Sequence, residues 1–263
     1  MERSKPKILV LSELNDSVNT TLKSAISLAN MTQGSLSLFC VKKPTDVVTK
    51  ENQLSAIREI NKEYTTANNT IKKLLKTLTE TFHIPIDFSF SVGALKQEIK
   101  NYLKAHNPDI IVIGKRKSKL LNLTGDKVTE FILKQHQGPI LVVDTQTPML
   151  PNEPIILGFF NRNEDRKRNL TELVLQNHSE KPIKSFKIVN KFDKLSESVN
   201  SDVVEFIFEQ SDDSLNTLSN YLLKSNVTLL MINRNENNVN GKSASHQDIS
   251  ELANKLNVSL FIS

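Results

Sequence analysis

The residues best placed to do chemistry gather in one stretch. Gly114 follows the apolar run 110–113 and opens a basic loop with Lys115, Arg116, Lys117 and Lys119, and Gly125 and Asp126 precede Lys127. Glycine lets backbone amides approach an anion closely, while lysine and arginine attract one as point charges. The chemistry such a loop can offer is therefore anion binding, and a loop leaving the carboxyl end of a buried strand is where open α/β sheets hold ligands. Hydrolytic and metal chemistry find less support. His83, His106, His136, His178 and His246 stand singly, without the spacing of metal ligands or a recognisable triad. Ser243, Ser245 and His246 lie in an asparagine-rich polar segment that reads as an exposed connection. Cys40 sits inside the apolar run 36–41, with no histidine near it in sequence, and reads as a buried structural thiol. With seven glycines the chain has little material for phosphate loops, and GxxxxGK[ST], GxSxG and GxGxxG are all missing. No catalytic residue and no metal ligand is assigned.

The elements that must position this loop follow from periodicity. Residues 8–11 form an apolar run and a first buried strand. Asp16 or Ser17 can cap the helix that follows, in which Val18, Leu22, Ala25, Ile26 and Ala29 recur at helical spacing. Gly34 is expected to end it as a left-handed cap. A second strand covers 36–41. Leu54, Ile57, Ile60, Tyr64, Ala67, Ile71, Leu74, Leu78 and Phe82 then step by threes and fours along a helix of roughly eight turns. Residues 84–91 alternate, as a more exposed edge strand does, and a short helix ends before Pro108. Apolar runs 110–113 and 140–143 flank the loop and a further helix containing Val128, Phe131 and Ile132. Five strands alternating with four helices predict an open, doubly wound parallel sheet.

A second cycle begins after the proline-containing linker 145–153. Strands are expected at 155–160, 183–189, 203–208, 227–232 and 259–262, with helices between, and the stretch 191–202 serves as a shortened crossover. The ends of the halves match: NPDIIVIGK with NVTLLMINR, and GPILVVD with NVSLFIS. The chain thus reads as a degenerate tandem duplication, with domains at 1–147 and 153–263.

The order of elements, with ILVLSELNDS at the start and IVIGK…TGDKVTEFILKQHQGPILVVD at the end, resembles the universal stress protein family. The resemblance covers 5–144 closely and 153–263 by element order and strand ends. It implies two tandem open five-stranded parallel sheets with helices on both faces, a Rossmann-like, adenine nucleotide alpha hydrolase-like α/β fold. In that family the loop reads Gly, two residues, Gly, nine residues, Gly, then Ser or Thr, and its amides close around ATP phosphates. Gly114 matches the first glycine, Lys117 stands at the second, and Gly125 falls near the third with Asp126 where a hydroxyl is expected. Glu13 takes the place of the first-strand carboxylate. The cofactor-binding residues the resemblance implies, if a nucleotide binds, are Glu13, Val41, Gly114, Lys115, Lys117 and Gly125. The second half has Asn233 for the first glycine, Gly241 alone in its loop, and Phe160 or Asn161 for the acid. The lost glycine at Lys117 and the repulsion between Asp126 and phosphate at the next helix's N-terminus lead to the expectation of no cofactor. ATP or AMP bound by the first domain is the alternative.

Composition sets the remaining expectations. The formal charge of +5 divides unevenly: 21 Lys+Arg against 14 Asp+Glu in residues 1–144, and 13 against 15 in 145–263. The basic first half could draw nucleic acid, but its lysines are not interleaved with aromatics and the chain has no tryptophan, so nucleic acid is not an expected partner. No apolar run approaches the ~18 residues of a membrane span, and the N-terminal apolar run is too short for a secretory segment. With a lone cysteine, these features suit a cytoplasmic location. The functional expectation is a non-enzymatic stress-response protein acting through binding, its halves forming an internal pseudo-dimer. In the family the fifth strands pair across the dimer, which makes 140–143 and 259–262 the candidates here. A homodimer or protein partner is left open.

Overall fold

The computed structural model describes residues 5–12, 17–42, 53–115, 127–162, 168–189, 202–234 and 246–263. The chain forms two compact units, Met1–Gly114 and Lys115–Ser263.

In the first unit, β1 (Lys7–Ser12), α1 (Val18–Thr32), β2 (Ser35–Lys42), α2 (Gln53–Phe82), β3 (Ile86–Val92), α3 (Leu95–His106) and β4 (Ile110–Gly114) follow in turn. The strands lie in the order β3-β2-β1-β4, all parallel. The central strand β1 is apolar from Ile8 to Leu11 and buried along that length, as a strand covered on both faces must be. Helix α1 buries Leu22, Ala25, Ile26, Leu28 and Ala29, whose spacing forms the stripe seen in the sequence. Its end corrects the expectation for Gly34. The left-handed residue is Gln33, at φ 55°, whereas Gly34 is needed for space: a β-carbon there would lie 2.7 Å from Ile8 Cδ1 and 2.8 Å from the Pro6 carbonyl. The start differs from expectation too. Ser17 is the N-cap residue but makes no side-chain capping bond; its carbonyl accepts from the Thr21 amide and hydroxyl. Asp16 lies outside the described residues.

The 30-residue α2 matches the long periodic segment. Ala67, Ile71, Leu75 and Leu78 are buried, so Leu75 takes the inward position expected of Leu74, and Tyr64 is 46% exposed. Strand β3 ends the sheet order, and its residues are half-buried except for exposed Asp87. This is the more exposed edge strand that the alternation predicts.

The second unit holds α4 (Lys127–Gln135), β5 (Ile140–Val143), β6 (Leu157–Phe160), α5 (Leu170–Asn177), β7 (Ile183–Val189), β8 (Val203–Glu209), α6 (Ser214–Lys224), β9 (Leu229–Ile232), α7 (His246–Lys255) and β10 (Ser259–Ile262). Its strands lie in the order β5-β10-β9-β6-β7-β8, parallel except for β5 against β10. Those two run antiparallel in the register Ile140↔Ile262, Leu141↔Phe261, Val142↔Leu260, the strands that the two repeats were expected to pair. All four residues of each of β5, β6, β9 and β10 are buried. The pairing and the packing of α4 on α7 hold the last helix and strand of the first repeat in the second unit. The compact units divide after Gly114. The crossover expected at 191–202 lies outside the described residues except for Asp202. Among the described residues no helix is long and apolar enough to cross a membrane.

Candidate functional site

In the first unit the candidate cleft is built at the carboxyl ends of β1, β2 and β4. Register pairs Leu11 with Ile113 and Ser12 with Cys40, so Gly114 and Val41 stand near one level on either side of β1. Strand spacing separates them by roughly 10 Å. Val41 is buried at 4% exposure, and its neighbour Cys40 is fully buried. Burial pushes the Cys40 thiol up to about 12, so it is protonated at neutral pH and a poor nucleophile.

Gly114 faces the first turn of α1. A β-carbon there would lie 2.6 Å from Thr21 Oγ1 and 3.5 Å from Ser17 Oγ, and Thr21 is held by its bond to the Ser17 carbonyl (2.9 Å). The missing side chain therefore serves close packing of β4 against α1. The same approach brings the positive end of a helix dipole beside the strand end, a setting that favours an anion. Glu13, Lys117 and Gly125, with Arg116, Lys119 and Asp126, lie outside the described residues.

Lys115 belongs to the second unit, and there its side chain turns inward. Its Nζ pairs with the Asp144 carboxylate at 3.4 Å and donates to the Leu256 carbonyl, with side-chain exposures of 12% for Lys115 and 9% for Asp144. Burial holds the ammonium pKa below its usual range, and Asp144 partly restores it. Asp144 also accepts from the Gln146 amide (2.8 Å) and, more weakly, from that of Thr147 (3.4 Å). Its own amide donates to Ser259 Oγ (3.0 Å), which donates to the Thr147 carbonyl (2.8 Å). This network at the β5–β10 seam was not found from sequence. Its signal was Asp144 itself, a carboxylate closing a wholly apolar strand.

The corresponding places in the second repeat are filled by side chains. Phe160 is 4% exposed in β6. Asn161, left-handed at φ 47°, donates its amide to the Phe186 carbonyl (2.8 Å) and accepts from the Ile188 amide (3.1 Å) through Oδ1. By the matched registers of β1 on β4 and β6 on β9, Phe160 is equivalent to Leu11 and Asn161 to Ser12. That asparagine therefore ties β6 to β7 one residue before the place of the acid, and Arg162, not Phe160 or Asn161, stands where the first repeat carries Glu13. Arg162 stacks over Phe159 at 4.7 Å. Among the described residues, no group of three His, Cys, Asp or Glu side chains is placed to hold a metal.

The sequence model of the universal stress protein family matches residues 6–144. A universal stress protein from Archaeoglobus fulgidus DSM 4304 has a similar structure, with a TM-score of 0.65 at 14% identity, covering 98% of this chain and 95% of its own. A functionally unknown protein from Pseudomonas aeruginosa PAO1 gives a TM-score of 0.60 at 14% identity, covering 98% and 92%. At that identity the likeness speaks to fold alone: a mostly parallel α/β architecture whose two halves each follow the same plan. Comparison with curated proteins yields no match.

Proposed function

The chain belongs to the universal stress protein family, and from that premise we propose that it is a non-catalytic stress-response protein that binds a ligand or protein partner without using ATP. The observation that carries this reading is the direction of Lys115. Of the basic run after β4 it is the described member, and its ammonium is engaged by Asp144 and the Leu256 carbonyl. A cation held this way must break two contacts before it can reach a phosphate. The sequence of the loop adds weight, since Lys117 replaces an amide-presenting glycine and Asp126 adds negative charge. In the second repeat, the register of β6 on β9 puts Arg162 where a nucleotide-facing acid would stand.

A second reading, ATP or AMP bound by the first repeat, is favoured by one observation: Gly114 keeps the end of β4 tight against the N-terminus of α1. Calorimetric titration of the purified full chain with ATP and with AMP separates the two. The expected result is no saturable heat up to millimolar nucleotide. Saturable binding of either would overturn the first reading in favour of the second.

A further inference from the structure

We infer that Lys115 and Arg234 act as a reciprocal pair of helix clamps, each standing just past the end of a central strand in one repeat and capping the final helix of the other. The matched sequence ends place them in equivalent positions: NPDIIVIGK closes on Lys115 and NVTLLMINR on Arg234. Lys115 donates to the carbonyl of Leu256, the residue just after α7, whose amide still bonds the Leu252 carbonyl. Arg234 donates through Nη1 to the carbonyls of His136 (2.6 Å) and Leu133 (3.3 Å) and through Nη2 to that of Gly138 (2.6 Å). These are the carbonyls at the end of α4, where His136 continues the helical bonding to Ile132.

A helix end carries carbonyls without intrahelical partners and a partial negative charge, so a buried cation there is both a donor set and a counter-charge. The exchange has the form of a two-fold contact, in which position i of one copy meets position j of the other and the reverse also holds.

The two clamps differ in a way that donor geometry explains. Guanidinium offers five donors in a fixed fork and can satisfy three carbonyls without a carboxylate. Ammonium is a compact charge, and Lys115 meets one carbonyl and the Asp144 carboxylate. The residue matching Asp144 in the second repeat is Ser263, whose carbonyl accepts from the Arg234 amide (2.9 Å). Lysine with aspartate, and arginine with serine, are two solutions to one task. Lys115 and Arg234 are thus positioning residues for α7 and α4.

Hydrogen–deuterium exchange of the full-length chain tests the crossed pattern. Arg234→Met is expected to raise exchange in 131–138 by roughly tenfold or more while leaving 250–257 little changed, and Lys115→Met is expected to do the opposite. Arg234→Lys should recover part of the protection at 131–138, and it serves as the test if Arg234→Met does not fold. Faster exchange confined to the variant's own strand end, equal acceleration throughout the unit, or no acceleration would each overturn the proposal.

Discussion

The carboxyl ends of β4 and β9 are the same place in two repeats, built in opposite ways. At the end of β4 a glycine lets the strand press against the first turn of α1, within 2.6 Å of Thr21 Oγ1 for an added β-carbon. At the end of β9 the matching residue is Asn233, buried at 5% exposure, and neighbouring β6 ends in Phe160 and a left-handed Asn161 that stitches it to β7. One repeat retains a close approach of backbone to a helix N-terminus, a setting an anion can use. The other has a buried asparagine at that strand end and, by register, Arg162 in place of the acid. The cations that follow, Lys115 and Arg234, are alike in both: each turns to a helix end. A duplicated scaffold can thus let the residues at one strand end diverge between copies while keeping those that hold its elements in place.

The comparison is broken most directly at Phe160. If that strand end is core, Phe160→Ala should cost about 3–5 kcal/mol in denaturant unfolding, the range for emptying a buried aromatic site. A loss near zero would mean the second cleft is open after all. A smaller effect is expected at Gly114. Gly114→Val should lower stability by about 1–3 kcal/mol through overpacking against Thr21, and Thr21→Ala in the same chain should return part of it. Without that recovery, the glycine has another role. Loss of nucleotide affinity in a Gly114 variant alone would therefore not identify a phosphate contact.

The last effect concerns Cys40, is absent at neutral pH and is read against pH. The buried thiol titrates near 12 in the folded chain, whereas the unfolded thiol titrates near 9. Its contribution to stability is complete below pH 9 and is lost as pH rises toward 12, by about 1.4 kcal/mol per unit. Denaturation curves from pH 8 to 11 for the natural chain and for Cys40→Ala should diverge in that sense. Parallel slopes would show that the thiol is accessible and unperturbed.

Much of this architecture can be read from local pattern. The apolar runs 8–11, 110–113 and 140–143 needed nothing beyond their lack of alternation to mark buried strands, and the three-four stepping from Leu54 to Phe82 marked α2. The pairing of β5 with β10 followed from the family resemblance and not from the residues, since two short apolar strands carry no signal of direction. Details set by packing were misread. Gly34 looked like a helix cap because glycine commonly is one, but the crowding by Ile8 and Pro6 comes from a strand 26 residues earlier in the case of Ile8. Leu74 and Leu75 are equally apolar, and only the packing of α2 makes Leu75 the buried one.

By itself the sequence determined the succession of strands and helices, the duplication and the membership of a family, because each rests on periodicity or on short motifs. The tertiary structure decided what Lys115 does. Its partner carbonyl lies 141 residues away, and the two carbonyls that Arg234 meets at 2.6 Å lie 98 and 96 residues away. A basic residue beside a glycine reads as a phosphate ligand until the folded chain brings a helix end within reach. Desolvation then favours the fixed carbonyls and carboxylate over water, since a buried cation must be paired.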